Sequence, residues 1–201
     1  MHRMTKNLID YRWLGYGCLM LCLWCTAGFA HEAVSPHAVL VGYGQSIPAI
    51  GETTERFGAL DVVYRHRRVL HPDRGKGWYT GNHEFWIELP VSLVLKNRDD
   101  RDVYSLGMAG MNFLFAWVFA GGSYGQPYVT FGGGPRYVFA DIEGVGSRTP
   151  GNYQAGVGYR FAGPANTVLT LDVRFVHVSN LNLASPNVPL NSAAGYIGIS
   201  F

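Results

Sequence analysis

The residues that invite a chemical reading lie near the end of the chain, in Arg174-Phe175-Val176-His177-Val178-Ser179-Asn180. An imidazole within reach of a hydroxyl can take its proton and turn it into a nucleophile. That chemistry requires both side chains on one face. In a β-strand, residues two apart point the same way and lie about 6.6–6.8 Å apart along the strand. His177-x-Ser179 meets this requirement if it sits on a strand. A bland alternative meets it too: an ordinary His and Ser at a membrane interface, solvated near a loop. The spacing alone leaves both open.

The surrounding sequence supplies the strand. Before His177 the odd row runs Leu169, Leu171, Val173, Phe175, while the even row holds Thr170, Asp172 and Arg174. This is a period of two, not 3.6. The same alternation recurs over Phe85–Leu95, Tyr153–Phe161 and Ala193–Phe201. It predicts eight strands, starting near His37, Phe57, Glu84, Val103, Pro127, Asn152, Thr167 and Pro189. Turn-forming stretches separate them: Ile47-Pro48 onward, His71–Gly81, Asn97–Asp102, Gly121–Gly125, Gly144–Gly151, Ala162–Ala165 and Ser179–Pro189. The strand near Phe57 is the least regular, because Asp61, Arg65 and Arg67 share a parity with Phe57 and Val63.

Composition narrows the function classes. The chain has 201 residues, enough for one domain, with 26 glycines. Charged residues make up 15 %, against about 25 % in a typical soluble domain. A net charge of +2 argues against nucleic acid as a partner. The first thirty residues predict a secretory signal. Arg3, Lys6 and Arg12 are its basic end, Trp13–Phe29 its apolar run, and Gly28 and Ala30 the small residues before a cut after Ala30. Residues 31–201 are then the mature domain. Cys18, Cys22 and Cys25 all fall in the signal, so no thiol chemistry is expected. His71 and His83 sit near Asp73 and Glu84 without zinc-ligand spacing, and no metal is expected. Gly132-Gly133-Gly134 runs into Pro135 within a strand, so it is no phosphate loop, and no cofactor is expected.

Eight alternating strands fit a soluble barrel or sandwich with its apolar row inside, or a membrane barrel with that row outside. The even rows are rich in Gly and carry Glu84, Glu88, Arg136, Arg160, Asp172 and Arg174. A narrow lumen needs such small residues and mutually pairing charges, although the same charges would also tolerate water. The carboxyl-terminal row Ile197, Ile199, Phe201 looks like the assembly signal of bacterial outer-membrane barrels. With the export signal, this favours an all-β, eight-stranded antiparallel transmembrane outer-membrane β-barrel. A periplasmic start puts Asn180–Val188 outside the cell. It also puts the long Leu70–Gly81 stretch on the periplasmic side, where short turns are usual. Trp78, in that stretch, is a candidate for an interfacial aromatic belt.

Within this frame, residues 159–201 resemble the lipid A 3-O-deacylase (PagL-type acyloxyacyl hydrolase) family. The resemblance rests on Gly158-Tyr159-Arg160-Phe161, on Arg174 to Asn180, on Pro186-Asn187, and on the closing Ala194-Gly195-Tyr196-Ile197-Gly198-Ile199-Ser200-Phe201. It implies an esterase that removes an ester-linked acyl chain from lipopolysaccharide, with Ser179 as nucleophile and His177 as general base. Asn180 and Asn187 match family asparagines that form or shape the oxyanion site, where each donor is typically worth 10²–10³-fold in rate. The family's third member is a Glu on the last strand, and Asn191 takes its place here. Asn191 has the parity to orient the imidazole but brings no charge, and Asp141 and Glu143 are distant substitutes. The partners implied are lipid A and outer-membrane lipid, and a homodimer is left open. The competing reading is a structural or binding barrel with a silent site.

Overall fold

The computed structural model describes residues 35–48, 57–96, 102–122, 124–139, 146–164 and 167–201. The expected signal, with the three cysteines, and Asp141 and Glu143 lie outside the described residues.

Period-two alternation yields strands wherever it was read. They are β1 (His37–Ser46), β2 (Gly58–Arg74), β3 (Gly81–Lys96), β4 (Asp102–Gly110), β5 (Asn112–Phe119), β6 (Gln126–Val138), β7 (Gly151–Ala162), β8 (Val168–Ser179) and β9 (Leu190–Ser200). All pairings are antiparallel, and β9 pairs with β1, so the sheet closes on itself. β4 and β5 occupy one position in the ring. Both lie between β3 and β6, and the register against β3 carries through from Val91↔Ala109 to Glu88↔Asn112. The break falls at Met111, whose N–H turns to Pro135 O at 3.1 Å. The result is a ring of eight strands, as the alternation predicts. Closure satisfies the backbone without an edge, which a lipid environment demands.

The two faces are those of a membrane barrel. Leu89, Val91, Leu93, Phe113, Phe115, Leu171, Val173, Phe175, Ile197 and Ile199 point outward and are exposed. Arg65, Glu84, Glu88, Arg160, Asp172 and Arg174 are buried in the lumen. β2 reads as irregular because its odd row is the inward one. Arg65 and Arg67 face the lumen beside Val63, and Val62 faces out.

The lumenal charges pair with one another. Glu88 accepts from Arg65 Nε at 2.7 Å and from Arg174 Nη1 at 2.7 Å. Asp172 accepts from Arg65 Nη2 at 2.8 Å, Arg174 Nη2 at 2.7 Å and Tyr128 Oη at 2.8 Å. Arg160 binds Glu84 at 2.8 Å, and Trp86 Nε1 donates to the same carboxylate at 2.7 Å. The Arg65 guanidinium also lies 4.1 Å from the Trp86 ring centroid, a cation–π contact. Each buried carboxylate therefore has more than one donor, which offsets the cost of its desolvation. The inward glycines make room. A Cβ on Gly158 would sit 2.2 Å from Tyr128 Cζ, and one on Gly42 2.2 Å from Tyr196 Cδ1.

The ends of the barrel differ. Ser35 and the last residue lie together at one end, where Phe201 N donates to His37 O at 3.2 Å. There β2 and β3 run on through two register shifts, at Val69/His71 and His71/Arg74. Those shifts explain the long stretch that a plain turn would not need. Trp78, 85 % exposed, sits at the tip and stacks on Phe119. His71 and His83 face each other across β2 and β3, while Glu84 points into the lumen to Arg160. Among the described residues no three His, Cys, Asp or Glu side chains cluster as a metal site. The opposite end carries Ser179 and an apolar lumenal cluster of Phe57, Ala59, Val94, Met108, Val138, Val178 and Leu190.

Candidate active site

β8 and β9 pair so that His177 lies directly across from Asn191, and Ser179 follows at the strand's last position. Strand alternation carries His177 and Ser179 out of the lumen while Val176 and Val178 point into it. The side chains meet as the spacing requires. Ser179 Oγ lies 3.2 Å from His177 Nε2, and His177 Nδ1 lies 2.8 Å from Asn191 Oδ1. A carbonyl oxygen can only accept, so Nδ1 carries the proton and donates to it. Nε2 is then the lone-pair nitrogen and accepts the Ser179 hydroxyl. The amide thus fixes the imidazole in the tautomer that a general base needs.

Ser179 and Asn191 are more enclosed than two side chains on an open lipid wall, at 6 % and 4 % exposure. The loop after β8 accounts for part of this. Leu181 and Asn182 both have left-handed backbones, φ 57° and 61°, and Leu183 N donates back to Asn180 O at 3.0 Å. Two successive left-handed residues make a type I′ turn. Asn tolerates this conformation, whereas Leu pays roughly 1–2 kcal/mol for it. The turn folds Leu181 back, so that a Cβ on Gly151, the β7 partner of Ser179, would lie 4.0 Å from Leu181 Cδ1.

Asn180 and Asn187 build the same loop. Asn180 Nδ2 donates to Ala184 O at 2.9 Å and Pro186 O at 3.1 Å. Asn180 N donates to Asn187 Oδ1 at 2.9 Å, and Asn187 Nδ2 to Asn182 Oδ1 at 2.7 Å. All these bonds hold the loop that follows Ser179 to itself. Sequence reading did not single out Tyr153, whose ring centroid is 6.3 Å from that of His177. It sits opposite His177 in the β7–β8 register, and that register is not written in either strand alone.

The profile of the lipid A 3-O-deacylase (PagL) family matches residues 62–200. The chain belongs to that family. No curated protein sequence matches it at a significant level. Among solved structures it resembles the outer membrane enzyme PagL, with a TM-score of 0.61 and 18 % identity. The match covers 82 % of this chain and 99 % of that one. The likeness in fold agrees with the ring of eight strands, and family membership makes the chain an outer-membrane ester hydrolase. The site at the end of β8 lies inside the matched residues.

Proposed function

We propose that Ser179, His177 and Asn191 form the hydrolytic site of a lipid A 3-O-deacylase. The observation that carries this reading is the relay from Ser179 Oγ through His177 to Asn191 Oδ1, at 3.2 and 2.8 Å. Ser179 Oγ attacks the ester carbonyl as its proton passes to His177 Nε2. The imidazolium so formed donates from Nδ1 to Asn191 and from Nε2 to the leaving sugar oxygen. That oxygen takes the proton and departs as an alcohol, leaving the acyl chain on Ser179. Water, deprotonated by the same Nε2, then releases the fatty acid. Asn180 and Asn187 support the loop bordering the developing oxyanion.

Placement supports the substrate class. With the termini in the periplasm, the Ser179 end lies in the outer leaflet, where lipid A already holds its acyl chains. The outward rows below it, including Phe175 and Val173, are apolar. Expression of the chain in a Gram-negative host tests this. The mass of lipid A should fall by one ester-linked acyl chain, and not when Ser179→Ala is expressed as an equally folded barrel. Unchanged lipid A beside a folded wild-type barrel would refute the proposal.

A further inference from the structure

Behind the site, on the lumenal side of the same two strands, lies a chamber that hydrolysis does not use. It is a cavity of about 40 Å³. A water needs about 10–15 Å³, so there is room for roughly three, or for one small organic molecule. Its walls are mainly apolar, with Phe57, Ala59, Met108, Val178 and Leu190 prominent, and Arg136 lines it as the cationic group.

Arg136 is unlike the other lumenal arginines. Arg65, Arg160 and Arg174 each have a carboxylate partner, and Arg67 donates to Ser35 O and Ser200 Oγ. Arg136 is 9 % exposed, its Nε has no partner, and its guanidinium makes no hydrogen bond or ion pair among the described residues. Asp61 lines the same chamber and its charge partly offsets that of Arg136, but no ion pair joins them, and its carboxylate accepts from Tyr196 Oη at 2.8 Å. A buried guanidinium whose N–H donors make no hydrogen bond is costly, and a carboxylate is the group whose two oxygens fit its fork.

We propose that this chamber binds a short-chain carboxylate, with its head on Arg136 and its alkyl tail among Phe57, Met108, Val178 and Leu190. The unmade guanidinium donors select an anion. The apolar walls select one with a hydrocarbon end, because a small hydrated ion would lose its water there without replacement. The volume limits the tail to a few carbons. Val176 and Val178 alternate along β8 with His177 and Ser179, while Leu190 and Ser192 flank Asn191, so an occupant bears on the backbone that carries the relay. The site stands on its own geometry, whether or not Ser179 is a nucleophile.

Butyrate titrated into the folded full-length barrel in a zwitterionic detergent, followed by NMR, tests this. Saturable shifts are expected at the Arg136 Nε–H and at the Val178 and Leu190 methyls. Butyramide, and sodium chloride at equal concentration, should leave them in place. Arg136→Met should abolish the methyl shifts. Absence of shifts in the wild type overturns the proposal, as does an equal response to butyramide. A response to chloride as large as that to butyrate would mean an inorganic-anion site instead. Persistence of the methyl shifts in Arg136→Met would place the carboxylate elsewhere. If that variant does not fold, the wild-type Arg136 Nε–H alone decides.

Discussion

Replacing Asn191 by aspartate should make the enzyme faster. The two side chains have the same shape, so the carboxylate oxygen takes the position of Oδ1, 2.8 Å from His177 Nδ1. What changes is charge. The charge centres of a carboxylate and an imidazolium there are about 4 Å apart, attracting by about 1 kcal/mol in water and about 4 kcal/mol at an effective dielectric of 20. His177 is half-buried and Asn191 is 4 % exposed, so an intermediate value of about 2 kcal/mol applies. The attraction exists only once His177 has taken the serine proton, so it stabilises the transition state and not the resting site. At 1.4 kcal/mol per decade, kcat should rise about 30-fold. The assay is turnover of a lipid A or model acyl ester by purified barrel in detergent, with folding checked by heat-modifiable gel migration. Asn191→Leu provides the opposite arm: without an acceptor the tautomer is no longer held, and loss approaches the roughly 10⁴-fold seen when a protease triad's imidazole is held in the wrong tautomer. An Asn191→Asp barrel that is folded but no faster, or an Asn191→Leu barrel with wild-type turnover, would refute this reasoning.

Three further outcomes follow from the packing. Asn180→Ala removes the bonds to Ala184 O and Pro186 O, each worth about 0.5–1.5 kcal/mol net. Hydrogen exchange across 181–189 should accelerate and turnover should fall, while the barrel keeps its gel migration. Glu88→Gln strips the charge shared by Arg65 and Arg174, and breaking such buried pairs costs about 3–5 kcal/mol. Its urea midpoint in lipid vesicles should drop sharply, whereas an unchanged midpoint would mean the lumenal network contributes little. Gly158→Ala puts a methyl 2.2 Å from Tyr128 Cζ, and overpacking of this kind costs about 1–3 kcal/mol. The same unfolding measurement should register it, and Tyr128 should lose its bond to Asp172.

The barrel was legible because one property, the alternation of apolar and polar side chains, is written locally in every strand. Glu84, Glu88, Asp172 and Arg174 could be assigned to the lumen from their parity alone, and they are buried there. β2 obscured the pattern, since Arg65 and Arg67 share their row with Val63, and only the ring shows that row to be the inner one. The interruption at Met111 left no signature, because it depends on Pro135 O reaching across from β6. The site was legible in part. His177 and Ser179 are two apart on one strand, and parity puts them on one face. Parity allowed Asn191 the same face, but that it stands directly opposite His177 is a matter of the register between β8 and β9, which neither strand states alone. The enclosure of Ser179 and the position of Tyr153 also come from neighbouring strands. Arg136 was read simply as one more lumenal charge; what sets it apart is that its guanidinium makes no hydrogen bond among the described residues.

Covalent trapping tests most directly whether Ser179 is a nucleophile activated by His177. Purified barrel treated with an alkyl fluorophosphonate should gain one adduct by intact mass, and peptide mapping should place it on Ser179. His177→Ala should slow the labelling at least a hundredfold, in keeping with the typical value of general-base assistance, roughly 10²–10⁴-fold. A folded barrel that takes no adduct, takes it elsewhere, or labels equally fast without His177 would contradict the account.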